Sequence, residues 1–203
     1  DNTLYRCQLG YTEVEFGDGQ IDMFSYDEER MYPRDTLARE GRANPKGIPY
    51  LYLATSPETA MNEVRAWPGQ EVSCCTFSSK SDLLLVDLSK DLESGMKAIY
   101  SDTKKGRLLT KDTDENLLGE INEAFTTPIM NTDDKSDYAL TQIISELIKA
   151  QGYDGIVYNS FFTEKGKNIV IFDKTTLEIK GGLVFKVESS KIKYSQISNA
   201  RSY

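Results

Sequence analysis

The sequence predicts an α+β fold in one domain, with a mixed β-sheet core and flanking helices. Short runs of alternating or β-branched apolar residues predict many strands. Fewer amphipathic segments lie between them, without the strict alternation of βαβ units. The chain has 203 residues, 39% of them hydrophobic, which suffices for one substantial core. No linker-like tract divides it, so a single domain spanning residues 1–203 is expected.

The first strand pattern covers Leu4–Leu9 and places Arg6 on the face opposite its neighbours, where it can line a cleft. Residues Gly10–Met31 mix glycines, acids and aromatic residues without a clear period, which predicts a long, mobile loop. From Arg30 to Lys46, five bases stand against two acids. This local excess suits a compact anionic ligand, or alternatively a solvated loop.

A turn and a strand follow. The turn at Asn44–Gly47 contains proline and glycine, and it is expected to present Arg42 from an ordered loop. Alternation in the predicted strand Tyr50–Ala54 places Leu51 and Leu53 on one face and two tyrosines, including Tyr52, on the other.

The next helix is predicted to begin at Ser56–Glu58, with a capping hydroxyl and a proline, and to end at Pro68–Gly69. Glu63 lies on the edge of its core-facing stripe, and Arg65 lies on the solvated face. An inward carboxylate requires a partner or a chemical role. The alternative is a boundary glutamate hydrogen-bonded to a neighbouring strand. The residues expected on the core-facing stripe are Ala60, Val64 and Trp67.

The rest of the chain is predicted to contain an acidic helical segment, one clear helix and further strands. Segment 87–137 contains twelve acids and seven bases, and it predicts an acidic helical insertion at about 88–136. Its two weak helical patterns lie around Leu92–Tyr100 and Glu115–Phe125. The clearest helix is capped by Ser136 and stopped by Gly152. Its predicted apolar face comprises Leu140, Ile143, Ile144, Leu147 and Ile148. Further strands are predicted at Val72–Phe77, Leu83–Asp87, Ile156–Tyr158, Asn168–Phe172, Gly182–Val187 and Ile192–Tyr194.

Composition excludes several classes of function. A net charge of −8 disfavours general nucleic-acid binding, because phosphate backbones repel an acidic surface. The absence of histidine removes His-dependent triads and most catalytic zinc sites. Three cysteines without metal-ligand spacing suit buried free thiols. The sequence has no dinucleotide-binding or P-loop fingerprint, so neither of these nucleotide sites is predicted. It has no membrane span and no signal peptide, so a soluble, cytoplasmic protein is predicted. No metal is expected.

Several segments, taken in order and spacing, resemble the RES domain, the toxin of RES–Xre toxin–antitoxin pairs. They span most of the chain outside the insertion and the tail. One departure is Ala43, which stands where an aromatic residue commonly follows the arginine. The similar segments are Tyr5-Arg6, Gly41–Gly47, Leu51–Ala54, Ser56–Val64, Gly155–Ser160 and Asn168–Phe172.

The resemblance implies a fold like that of ADP-ribosyltransferase toxins and cleavage of NAD between nicotinamide and ribose. Arg42, supported by Arg6, would hold the pyrophosphate through its planar donors. Tyr52 would stack on nicotinamide or ribose. Glu63 would stabilise oxocarbenium-like charge on the ribose.

Two later residues complete the implied site. Ser160 would hydrogen-bond the substrate near the scissile bond, and Asn168 is assigned to substrate binding. The structural alternative to these roles is that Arg42 and Glu63 form a buried ion pair beside a packed tyrosine.

The expected function is therefore an NAD-consuming toxin that arrests growth and is neutralised by an antitoxin. NAD is its substrate, by hydrolysis or by phosphorolysis with phosphate as co-substrate, and no further cofactor is expected. Transfer of ADP-ribose to a protein is the close alternative. A non-catalytic module that binds a nucleotide or a partner is the alternative from another class.

Overall fold

The computed structural model describes residues 3–35, 37–89, 115–128 and 138–190. The helices in these ranges are α1 Glu28–Met31, α2 Pro57–Glu63, α3 Glu115–Thr126 and α4 Ala139–Ala150. The strands are β1 Leu4–Leu9, β2 Thr12–Glu15, β3 Ile21–Phe24, β4 Leu51–Ala54, β5 Glu71–Ser79, β6 Leu85–Asp87, β7 Gly155–Asn159, β8 Lys167–Ile171 and β9 Leu177–Lys186.

Seven of the strands form one central sheet in the order β6-β7-β8-β4-β1-β5-β9. The β6–β7 pair is parallel and the other neighbouring pairs are antiparallel, so the sheet is mixed. Helices flank this sheet. The predicted α+β class is therefore confirmed.

The sheet is buried on both faces because alternate residues of its central strands enter different clusters. On β8, Ile169 and Ile171 belong to one cluster and Val170 to another. On β4, Leu51 and Leu53 join the first cluster while Tyr52 packs against the second, which confirms the predicted alternation. This double burial fixes the register of the strands that carry the polar residues described below.

Strands β1 and β4 are neighbours but pair at a single register position, Tyr5 opposite Ala54. By contrast, β1 pairs with β5 at six positions. The main chains of β1 and β4 are therefore not joined beyond that position. A cavity can open between them without breaking the rest of the sheet.

The prediction of a mobile loop over Gly10–Met31 is wrong. Strands β2 and β3 form an antiparallel hairpin there, and α1 follows with its first turn capped by Asp27. The side chains of β2 are exposed along its whole length. A strand without a buried face needs no alternation of apolar and polar residues, so the sequence pattern did not reveal it. Main-chain hydrogen bonds to β3 form the strand instead.

The prediction that the helix after Ser56 reaches Pro68 is also wrong. Its capping by Ser56 and its proline start are confirmed, but α2 is seven residues long and ends at Glu63. Arg65 has a φ of 52°, a left-handed conformation that costs an L-residue about 1–2 kcal/mol. The core-facing side of the helix therefore does not extend to Trp67. Ala60 is buried as predicted, whereas Trp67 is 61% exposed.

Helix α4 confirms the clearest helical pattern, but only part of its predicted apolar face is buried: Ile148 is buried and Ile144 packs half-buried against the core. Leu140, Ile143 and Leu147 are each 59% exposed. The fully buried positions include Thr141 and Ser145, whose hydroxyls are hydrogen-bonded. Hydrogen-bonding partners, which a hydrophobic pattern does not report, set the orientation of this helix.

Three predictions lie outside the described residues: the helix around Leu92–Tyr100, the cap at Ser136 and the strand Ile192–Tyr194. In the described ranges, no helix is long and apolar enough to cross a membrane. All three cysteines are buried and free, as predicted.

Candidate active site

Two cavities meet beside the opening between β1 and β4. The first, of about 290 Å³, is lined mainly by residues of β1, β4 and α2. The second, of about 210 Å³, is lined by Arg42, Arg65 and residues around α3 and the β7–β8 turn. We call them the β1–β4 cavity and the arginine cavity. The residues common to both are Tyr52, Glu63, Tyr158 and Asn168.

The carboxylate of Glu63 lies at this junction and is held by two neutral donors. Its Oε1 accepts hydrogen bonds from Ser160 Oγ at 2.8 Å and from Asn168 Nδ2 at 2.7 Å. Among the described residues, no hydrogen bond to the second oxygen, Oε2, is present. One oxygen therefore fixes the side chain, and the other remains available to a ligand.

Glu63 is exposed, so the prediction of an inward carboxylate is wrong in detail. Glu63 is the last residue of α2, and its side chain reaches Asn168 of β8 and Ser160 just after β7. The hydrogen bonds of Glu63 to Ser160 and Asn168 agree with the alternative of a boundary glutamate bonded to neighbouring strands. Its position at the junction of two cavities distinguishes it from an ordinary boundary residue.

Ser160 is buried, and its hydroxyl makes two hydrogen bonds. It donates to Glu63 and accepts from the main-chain N–H of Phe162 at 3.2 Å. Its main-chain N–H donates to the carbonyl oxygen of Gly166 at 2.9 Å. Ser160 is therefore arranged to position the carboxylate, and its direct contact with the substrate stays a prediction.

Arg6 lines the β1–β4 cavity, as the strand pattern predicted. Its Nη1 donates to the main-chain carbonyl oxygen of Tyr52, 3.5 Å away, across the unpaired part of β1 and β4. Burial lowers the pKa of the Arg6 guanidinium to about 10. It remains charged at neutral pH and places a cation in an otherwise mainly apolar cavity.

Tyr52 organises the loop that carries Arg42. Its hydroxyl donates to Asn44 Oδ1 at 2.6 Å and accepts from the N–H of Ala43 at 2.9 Å. Burial raises the pKa of the Tyr52 phenol above its ordinary value. The hydroxyl stays protonated and structural, while the ring faces both cavities.

Arg42 contacts α3. Its Nη1 donates to the main-chain oxygens of Ala124 at 2.8 Å and Thr127 at 2.6 Å, at the C-terminal end of α3. Cations are favoured at helix C-termini. None of the ion pairs in the described part of the chain joins Arg42 to Glu63, so the alternative of a buried Arg–Glu pair is not observed.

Sequence reasoning missed the residues of α4 that fix the arginine loop. Thr141 Oγ1 donates to the main-chain oxygen of Arg42 at 2.6 Å. Gln142 Nε2 donates to the main-chain oxygens of Gly41 at 3.0 Å and Asn44 at 3.2 Å. The signal that could have found them is the pair of adjacent polar residues in the first turn of an amphipathic helix.

Tyr158 was also missed, because it reads as an ordinary strand residue. It is buried, and its ring centroid lies 5.5 Å from that of Phe125 of α3. Burial is the largest cause that raises the pKa of its phenol, and the nearby Tyr52 and Glu63 contribute. A neutral phenol therefore stands beside the Glu63 carboxylate.

The basic segment Arg30–Lys46 does not converge on the site. Of its five bases, only Arg42 lines either cavity. Arg30 instead lies over the ring of Tyr26, at 4.1 Å. Among the described residues, no group of three or more Cys, Asp or Glu is arranged to hold a metal ion.

Comparison with known proteins gives a family and a fold. The family model of the RES domain matches residues 4–182. A chain of the crystal structure of the M. tuberculosis MbcT–MbcA toxin–antitoxin complex is similar, with a TM-score of 0.53 and 15% sequence identity. The similarity covers 91% of this chain and 84% of that one. No curated protein matches the chain in sequence.

The Tyr52 interactions predict a strict requirement for glycine at position 41. A methyl group there would lie 2.6 Å from both Asn44 Oδ1 and the Tyr52 hydroxyl oxygen. We expect Gly41→Ala to break this hydrogen bond and to lower the free energy of unfolding by about 1–3 kcal/mol. Urea denaturation followed by circular dichroism measures the change.

A matched control is Gly119→Ala in α3, where an added methyl group meets nothing within 4 Å. Since glycine weakens a helix, this variant should be as stable as the wild type or more stable, by about 0.5–1 kcal/mol. Equal stability of the two variants would contradict the role given to Gly41.

Proposed function

Because the chain belongs to the RES domain family, we propose that it is an enzyme that cleaves NAD at the bond between nicotinamide and ribose. We further propose that it acts in the cytoplasm as the toxin of a toxin–antitoxin pair. The observation that carries the enzymatic proposal is the Glu63 carboxylate, fixed through Oε1 at the junction of the two cavities.

The chemistry of the bond explains why such a carboxylate is needed. When the bond between ribose carbon and nicotinamide nitrogen breaks, its electron pair leaves with nicotinamide, which becomes neutral. The ribose carbon becomes positively charged, like an oxocarbenium ion. A preorganised anion stabilises that charge in the transition state more than in the substrate, and so it accelerates the reaction.

The surrounding residues supply orientation. Ser160 and Asn168 hold the carboxylate, Tyr158 and Tyr52 line the junction, and Arg6 supplies a partly buried cation in the β1–β4 cavity. Arg42 has a planar fork of donors, of which Nη1 contacts α3. In the proposal its remaining donors bind the pyrophosphate.

The acceptor completes the reaction. Attack by water on the ribose carbon gives ADP-ribose and releases a proton, whereas attack by phosphate gives ADP-ribose 1″-phosphate. The chain contains no histidine to deprotonate water. Phosphate is already an anion at neutral pH, so we favour phosphorolysis.

An antitoxin partner is part of the proposal. It is supported by family membership and by the similar chain, which comes from a toxin–antitoxin complex. In this proposal the partner blocks the cavities.

We predict that Glu63→Gln lowers kcat for nicotinamide release from NAD by about a hundredfold or more. The amide keeps the shape of the side chain but loses the negative charge. The assay incubates the purified protein with NAD and measures nicotinamide by chromatography. The matched control is Glu58→Gln, an exposed carboxylate in the first turn of the same helix.

Several results would contradict this assignment. If Glu63→Gln retains turnover within a few-fold of the wild type, Glu63 is not the catalytic carboxylate. If the wild-type protein binds NAD without releasing nicotinamide, the chain is a binding module. If labelled ADP-ribose remains attached to protein, it is a transferase.

A separate prediction concerns phosphate. NAD loss should accelerate as inorganic phosphate is added at constant ionic strength, and mass spectrometry should find phosphate in the sugar product. Sulfate at the same concentration is the control, because it has a similar shape but is a poor nucleophile. A rate indifferent to phosphate, with ADP-ribose as the sole product, would show hydrolysis instead.

A further inference from the structure

Arg65 combines three features that its sequence position does not explain. It is the one non-glycine residue of the described ranges with a positive φ, at the position after the α2 C-cap where glycine is usual. Its guanidinium lies over the ring of Phe162, 5.8 Å from the centroid. It also lines the arginine cavity, two residues beyond Glu63. A strained backbone is thus retained by a residue that faces the candidate site.

The arginine cavity differs chemically from its neighbour. Arg42 and Arg65 both line it, and none of the ion pairs formed within the described ranges involves either of them. Glu63 is the one acid among its lining residues. The rings of Phe161 and Phe162 meet edge to face at 5.6 Å and are 60% and 41% exposed.

Two arginines beside exposed aromatic rings suit one class of ligand. Guanidinium groups bind phosphate oxygens through paired donors, and aromatic faces stack on a nucleobase. The β1–β4 cavity has one arginine, Arg6, and mainly apolar walls. The two cavities therefore fit different halves of a dinucleotide, with Glu63 between them.

We propose that Arg65 binds a phosphate of the adenosine diphosphate half of NAD in the arginine cavity, with its guanidinium positioned by Phe162. This inference rests on the proposed function, since it names the subsite that holds the non-reacting half of the substrate. Arg65 shares the pyrophosphate with Arg42, whereas Arg6 lies in the other cavity.

Because the backbone at Arg65 is left-handed, a glycine substitution there can remove the side chain without destabilising the fold. Arg65→Gly removes the guanidinium while supplying the residue that this conformation favours, so the protein should unfold at the same temperature as the wild type or higher. A residue with a merely structural role would not lose ligand affinity while the protein gains stability. Calorimetric titration with ADP measures the affinity directly, without any turnover.

We expect Arg65→Gly to weaken ADP binding about tenfold, the loss of one charge-assisted contact at an exposed site. Adenosine, which lacks the phosphates, should bind both proteins with the same Kd within about twofold. The charge-matched control is Arg39→Gly, an exposed arginine outside both cavities, which should keep wild-type ADP affinity. With NAD, Arg65→Gly should raise KM more than it lowers kcat.

The inference is overturned if the wild type does not bind ADP, if Arg65→Gly binds ADP as tightly as the wild type, or if ADP and adenosine lose affinity equally. These outcomes are separable from failure of the proposed function. That failure would appear as absence of nicotinamide release by the wild-type protein, whatever its affinity for ADP.

Discussion

Two hydrogen bonds to one oxygen of Glu63, from Ser160 and Asn168, join α2 to the β7–β8 hairpin. A carboxylate at the last residue of a helix faces the negative end of the helix dipole, which is unfavourable by about 0.3–1 kcal/mol. Two hydrogen bonds of about 0.5–1.5 kcal/mol each offset that cost. The short helix, its Ser56 cap and the doubly buried β8 strand all fix where this carboxylate lies, and the two cavities meet at it.

Helix α3 contributes directly to the site. Arg42 donates to main-chain oxygens at the end of α3, and Phe125 of the same helix lies against Tyr158. From the other side, Thr141 of α4 holds the main chain of Arg42. The loop bearing this arginine is therefore fixed by elements more than 80 residues away in sequence. Any partner that moves α3 would alter the donors that Arg42 presents to a substrate.

Local chemistry made much of this site predictable. The Ser56-Pro57 start of α2 and the alternation of Leu51, Tyr52 and Leu53 depend on neighbouring residues only, and both are confirmed. The residues singled out by the resemblance all lie at the two cavities or hydrogen-bond to Glu63 there, and their roles stay predictions. They are Arg6, Arg42, Tyr52, Glu63, Ser160 and Asn168. The end of α2 was not predictable, because arginine in a left-handed conformation is unusual there. The buried face of α4 depends on hydrogen bonds to a distant loop, which no periodicity reports.

The central claim is that Glu63 acts on the ribose carbon of NAD at the junction of the two cavities. A crystal structure of Glu63→Gln with NAD bound tests it most directly, since this variant should keep the substrate intact. The account predicts the nicotinamide ribose beside residue 63, nicotinamide towards the β1–β4 cavity and the pyrophosphate between Arg42 and Arg65. NAD bound elsewhere, or with its ribose carbon out of contact with residue 63, would contradict the account.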